Sequence, residues 1–152
     1  GSKEKECTCS SKEIEKYMHK ISGPLLDRID IQVEVHSVDY SKIANTPKEE
    51  TSKEIKYRVN KARKIQEERY KNNSIFSNAE LSPKLIEKYC AIDKESKEIM
   101  EKAFKKLNLS SRAYNRILKV ARTIADLEER ENIEKEDITE AIQYRSLDKK
   151  YF

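Results

Sequence analysis

The stretch LSSRAYNRILKVARTIADL, residues 109–127, decides the fold of this chain. Ser110 stands where a helix N-cap belongs, so we predict a helix that continues to about Glu129. The apolar residues recur at helical spacing and give this helix one broad apolar face, made of Ile117, Leu118, Ala121, Ile124, Ala125 and Leu127. Such a face has to pack against neighbours, so the stretch predicts a helical bundle.

The composition fits a helical and strongly solvated protein. Of 152 residues, 36% are apolar and 39% are charged, with two Gly, three Pro and no Trp, which excludes a typical sandwich or barrel. No apolar run has the length of a membrane span and no signal peptide is visible, so we expect a cytoplasmic protein without a membrane partner. We set Gly1-Ser2 aside as a tag scar and expect the natural chain to begin upstream.

Further helices are predicted on both sides of the central stretch. Ser10 or Ser11 can cap a short helix that runs to about Ile21. Residues 48–70 form a long helix with an apolar stripe of Ile55, Val59, Ala62 and Ile65 or Gln66. The remaining predictions are helices over 83–90 with Ser82 as cap, over 94–107 with Asp93 as cap, and over 133–144.

One strand is predicted in front of this bundle. Gly23-Pro24 is a turn signal, and after it apolar residues alternate with polar ones at Ile29, Ile31, Val33 and Val35. A lone strand is not stable, so we expect its sheet partners to lie before the start of the chain. Without them, the strand is expected to pair oddly or to be loose.

Arg28 lies where the loop enters this strand, between Asp27 and Asp30. One interpretation is a surface arginine paired with either acid, a contact that contributes little stability. The other is a guanidinium that reaches the phosphates of a nucleotide held by a neighbouring subunit, with one of the two acids orienting it. Both interpretations stay open at the level of the residues.

Arg112 falls in the first turn of the central helix, where a cation opposes the helix dipole at a cost on the order of a few tenths of a kcal/mol. A bound phosphate would reverse that sign, because free amides, the positive helix end and the guanidinium would converge on it. Ser110, Ser111 and Arg116, one turn further on, could support such a site. Arg122 is ambiguous, since Asp126 or Glu129 could pair with it internally.

Residues 53–71 carry eight Lys or Arg and three Glu, a net charge of +5. This is either a solvated helix face or a surface for nucleic acid. The candidate DNA contacts are Lys53, Arg58, Lys61, Arg63 and Lys64.

The three cysteines do not indicate a disulfide scaffold. We expect Cys90 to be a small buried residue, whereas Cys7 and Cys9 form a Cys-x-Cys pair, which alone is a weak metal signal because zinc usually has four ligands. With two Gly in total the chain cannot build a phosphate loop, so it is not expected to be a complete enzyme.

Several segments together resemble the magnesium-chelatase-like AAA+ ATPases, in particular their competence-associated ComM (YifB) group. The resemblance covers about residues 7–148. It is carried by CTCS (7–10), GPLLDRID (23–30), RVNKAR (58–63), QEER (66–69), SSR (110–112), ARTIADL (121–127) and EAIQYR (140–145).

The resemblance implies a mostly α fold, in which a helical AAA+ lid bundle follows a short helix and the last strand of a truncated α/β ATPase core. The implied division is a tag scar and half a cysteine motif (1–9), a remnant of the core (10–38), a linker (39–47) and the lid domain (48–148).

The resemblance also implies a hexameric ring ATPase in which Arg28 is the arginine finger and Arg112 the sensor 2 arginine, both serving an adjacent subunit. The whole protein would use ATP and Mg²⁺ and would power DNA remodelling or branch migration in competence or recombination. The fragment would be monomeric and would lack cofactors, although upstream cysteines could complete a zinc site. The alternatives are a non-enzymatic module that binds DNA or protein through the basic 53–71 helix, and a chelatase subunit of porphyrin metabolism.

Overall fold

The computed structural model describes residues 7–35 and 49–145, and all regular secondary structure in these two ranges is helical. This confirms the mostly α fold. The elements in chain order are α1 (Ser11–Met18), α2 (Gly23–Leu26), α3 (Ser52–Tyr70), a 3₁₀ turn (Asn78–Glu80), α4 (Pro83–Tyr89), α5 (Lys94–Leu107), α6 (Ser111–Leu127) and α7 (Lys135–Gln143).

Helix α6 is the centre of the bundle, as its sequence predicts. It packs against α3, α4, α7 and the 3₁₀ turn, while α5 packs on α7. Its inner face is closed off from solvent, with Ala113, Ile117, Ala121 and Ala125 at most 1% exposed. The alanines on this face bring neighbouring helices close to the α6 backbone, so a single helix can contact four other elements.

The predicted helix starts are confirmed where a cap residue marks them. The side chains of Ser82, Asp93 and Ser110 each accept a hydrogen bond from the backbone N–H three residues on. Helix α3 begins at Ser52 rather than at residue 48, because Thr51 and Glu54 form a reciprocal capping box at that point.

The apolar stripe predicted on α3 is buried only along the second half of the helix. Ala62, Gln66 and Tyr70 are buried, whereas Ile55 and Val59 are 45% and 39% exposed. The first half therefore leaves part of its apolar stripe open to solvent.

The strand predicted over residues 29–35 is wrong: none of the residues that the structure describes belongs to a strand. A strand needs a second one for its backbone ladder, and the described ranges supply none. The alternating side chains are exposed instead, from 41% at Ile29 to 85% at Val35. The linker predicted at 39–47, and the lid residues 146–148, lie outside the described residues.

Candidate functional site

The candidate site is the segment 26–32, which lies against α6 and the end of α7. Arg145, just after α7, is fully buried and points its guanidinium at this segment. Its Nη1 donates to the backbone carbonyls of Ile29 and, at 3.3 Å, of Leu26, and its Nη2 donates to Asp27 Oδ1 at 3.3 Å. One side chain therefore binds the backbone on both sides of residue 28.

Two further contacts attach the segment to the bundle. The N–H of Gln32 donates to the carbonyl of Tyr144 at 3.0 Å, and Arg116 on α6 forms an ion pair with Asp30. Burial lowers the pKa of neighbouring Lys119, and the Asp30 carboxylate opposes part of that effect. The segment is thus bonded to α6 and to the residues that follow α7.

Arg28 is exposed, and its guanidinium forms no ion pair with any residue in 7–35 or 49–145. Its backbone N–H donates to the carbonyl of Leu25 at 3.0 Å. Neither Asp27 nor Asp30 pairs with Arg28 in this structure, because Arg145 and Arg116 bind those two carboxylates. A fixed backbone thus presents a guanidinium that these acids do not hold.

Arg112 is exposed in the first turn of α6, with Ser110 Oγ accepting from the N–H of Ala113 at 3.2 Å. Ser111 is exposed at the rim of an open groove of about 410 Å³ between α5 and α6. Both predicted arginines, Arg28 and Arg112, are thus exposed to solvent.

The candidate DNA contacts fall into two groups. Arg58 forms an ion pair with Glu50, and Lys61 forms one with Glu129 at 2.6 Å. Lys53, Arg63 and Lys64 are exposed and pair with none of the described acids. Three of the five charges are therefore available to a ligand without first breaking an internal bond.

The cysteines differ in environment. Cys90 is buried and free, as expected, and burial raises its pKa to about 11. Cys7 and Cys9 are exposed, and hydrogen bonding to Cys9 lowers the pKa of Cys7. Within the described residues no group of three or more His, Cys, Asp or Glu could hold a metal, so these two thiols do not complete a zinc site there.

Asp126 is the centre of a buried polar network that sequence reasoning found only in part. It accepts from Arg122 Nε at 3.1 Å, as one of the two predicted pairings has it, and also from Arg69 and Asn78. The remaining Arg122 nitrogens donate to the carbonyls of Arg130 and Glu131. The four-residue spacing of Arg122 and Asp126 was the available signal, whereas nothing local points to Arg69.

The family profile described as magnesium chelatase, subunit ChlI C-terminal, matches residues 49–145, and that of magnesium chelatase, subunit ChlI, matches residues 1–43. The chain therefore belongs to the magnesium-chelatase-like family of AAA+ proteins, and the helical bundle is its C-terminal domain. No helix in the described part of the chain is both long and apolar enough to cross a membrane.

Among its relatives is competence protein ComM of Haemophilus influenzae, 41% identical over 139 residues, a match that covers 91% of this chain and 26% of that protein. The uncharacterized protein YifB of Salmonella typhimurium is 35% identical over 142 residues, covering 93% and 27%. The uncharacterized protein Rv2897c of Mycobacterium tuberculosis is 29% identical over 140 residues, covering 92% and 28%. The chain thus spans about a quarter of the length of these relatives.

Proposed function

We propose that this chain supplies two arginines, Arg28 as arginine finger and Arg112 as sensor 2, to ATP hydrolysis in a ring of identical subunits. The observation that carries the proposal is the exposure of the Arg28 side chain on a backbone that is held in place. Its guanidinium is exposed and unpaired among the described residues, while the backbone around it is bonded to a buried arginine. A surface arginine without a role needs no such fixed support.

The chemistry suits a guanidinium. When ATP is bound by the neighbouring subunit it supplies the γ-phosphoryl group, whose oxygens carry spread negative charge during transfer. The guanidinium of an arginine is a cation with a planar set of donors, which Arg28 would present to those oxygens. Because its backbone is already fixed, little reorganisation is needed when that charge develops.

Arg112 would contact the same nucleotide from the start of α6. The first backbone amides of a helix have no partner within it and favour an anion, and an exposed guanidinium in that turn adds charge. Ser110 and Ser111 would support this end of the helix. Arg116 would support it too, but only by leaving Asp30, with which it is paired here.

The test is Arg28→Ala in the full-length protein that contains this chain. We expect the rate of ATP hydrolysis to fall by about 10³-fold or more, because an arginine finger typically accounts for 10³ to 10⁵. The affinity for nucleotide, measured with a fluorescent ATP analogue, should stay within about threefold of the unsubstituted protein. Arg28→Lys separates the contribution of the charge from that of the planar guanidinium.

Lys102→Ala is the matched control, since it removes an exposed cation from α5, an element outside segment 26–32. Its hydrolysis rate should be unchanged. Impaired nucleotide binding with preserved hydrolysis in Arg28→Ala would contradict the finger role.

We further propose that the ATPase works on DNA, in competence or recombination. The support is the name of the 41% identical relative, a competence protein, together with three of the unpaired cations on α3, Lys53, Arg63 and Lys64. Such cations bind phosphates without reading sequence, which a motor that moves along DNA requires.

The role of α3 in DNA binding is tested by substituting Lys53, Arg63 and Lys64 with Gln and measuring affinity for a DNA duplex across a salt series. The slope of log affinity against log salt should become flatter by about 0.9 for each phosphate that the variant no longer neutralises. The control replaces Lys84, Lys102 and Lys106, three exposed lysines of α4 and α5, and so removes the same net charge. Equal slopes for the two triple variants would show that α3 does not bind the DNA.

A further inference from the structure

We propose that Arg145 is a positioning residue for Arg28. It fixes the backbone on both sides of Arg28, and it binds the adjacent Asp27 carboxylate, which is then not available to pair with Arg28. This inference rests on the proposed function, because it assigns Arg145 a role in hydrolysis through Arg28. It concerns a residue that lies 117 positions further along the chain than Arg28.

The contacts of Arg145 are distributed around residue 28. It binds the carbonyl two positions before Arg28 (Leu26), the side chain one position before it (Asp27) and the carbonyl one position after it (Ile29). Because the guanidinium is planar, its donors fix these acceptors relative to one another. The Cα of Arg28, which lies between them, is fixed as a result.

Burial makes these contacts hard to replace. The side chain of Arg145 is 1% exposed, so water cannot easily substitute for it, and removing it would leave acceptors and a carboxylate without their donor. By comparison, Arg116 and Asp30 are 29% and 50% exposed, which makes that pair the weaker attachment.

The two acids beside Arg28 are bound by other arginines. Asp27 and Asp30 flank Arg28, and either carboxylate could hold its guanidinium in an internal ion pair. Arg145 and Arg116 bind these carboxylates instead. Without Arg145, the Asp27 carboxylate would lose its partner and compete with a phosphate for Arg28.

Arg145 also links Arg28 to the bundle. It comes two residues after α7, which packs on both α5 and α6, and the adjacent Tyr144 carbonyl accepts from Gln32. The position of Arg28 is thereby set by helices that are distant from it in sequence.

The test is a double-mutant cycle of Arg145→Gln and Arg28→Ala in the full-length protein. Arg145→Gln alone should lower kcat at least 10-fold with KM for ATP changed less than threefold. In the Arg28→Ala background the same substitution should have almost no further effect, because its route to the reaction is already removed. Arg145→Lys keeps the charge but not the planar guanidinium, so it should recover part of kcat.

Arg69→Gln is the matched control. Arg69 is another arginine with a low exposure of 16%, but it pairs with Asp126 at the end of α6 and does not contact segment 26–32. Its effect on hydrolysis should multiply with that of Arg28→Ala. Amide hydrogen exchange gives an independent readout, since Arg145→Gln should accelerate exchange at Ile29 and Gln32 and leave the middle of α6 unchanged.

The positioning role is overturned if the fold-losses of hydrolysis for Arg145→Gln and Arg28→Ala multiply in the double variant, or if amide exchange at Ile29 and Gln32 is unchanged. Either result leaves the proposed function of Arg28 standing. If Arg28→Ala by itself leaves hydrolysis intact, the proposed function fails, and the positioning role fails with it. Should Arg145→Gln not fold, Arg145→Lys runs through the same cycle, with the same two outcomes deciding it.

Discussion

Asp126 shows how a single buried residue can join several elements of the fold. Its carboxylate is fully buried and is bound by two arginines, Arg69 and Arg122, and by Asn78. Through Arg122 the same cluster reaches the backbone that follows α6. Residues 122 and 126 of α6 therefore join this helix to α3 and to the 3₁₀ turn through contacts that need no ligand.

Asp126→Asn should destabilise the protein by about 3 to 5 kcal/mol, because it leaves two low-exposure guanidinium groups without their counter-charge. Urea unfolding followed by circular dichroism measures this as a lower midpoint. Asp30→Asn is the control: it also removes an acid paired with an arginine, but Asp30 is 50% exposed, and its loss should cost at most about 1 kcal/mol. Equal midpoints for the two variants would contradict the role given to Asp126.

At the scale of elements, the ends of the helices are set by caps and their packing by small residues. Ser110 fixes the start of α6 and thereby puts Arg112 in its first turn. On α3 the buried positions begin only at Ala62, and the exposed Lys53, Arg63 and Lys64 pair with none of the described acids. The elements that carry the proposed contacts are thus presented by local features of the sequence.

Ser110→Ala should cost about 1 kcal/mol of folding free energy, because the N–H of Ala113 loses its acceptor at a helix end. Thermal unfolding of Ser110→Ala and of a second variant, Ser111→Ala, measures the difference in stability between them. Ser111→Ala is the matched control, since the exposed Ser111 lies inside α6 and does not cap it, and its effect should be close to zero. A loss in Ser111→Ala as large as that in Ser110→Ala would show that the cap is not the cause.

At the scale of the whole molecule, the features that could be predicted from sequence are those that depend on nearby residues. Helical spacing and caps are local signals, so α4 to α7 lie within a few residues of their predicted bounds. The strand prediction for residues 29–35 was wrong because its alternating pattern is a local signal, whereas a strand also needs a second strand to pair with. Both interpretations of Arg28 place it at the surface, where it lies, but the arginines that bind its neighbours were not predicted, since Asp27 and Asp30 meet partners 118 and 86 positions away.

The same separation has a consequence during synthesis on the ribosome. Leu26 is made 119 residues before Arg145, the side chain that binds its carbonyl. At roughly 5 to 20 residues per second, the segment around Arg28 waits on the order of 10 seconds for that contact. During this interval Ile29 and Ile31, two exposed apolar residues, belong to a nascent chain in which α6 and α7 have not yet both been made. The segment therefore does not yet have the complete surface against which it packs.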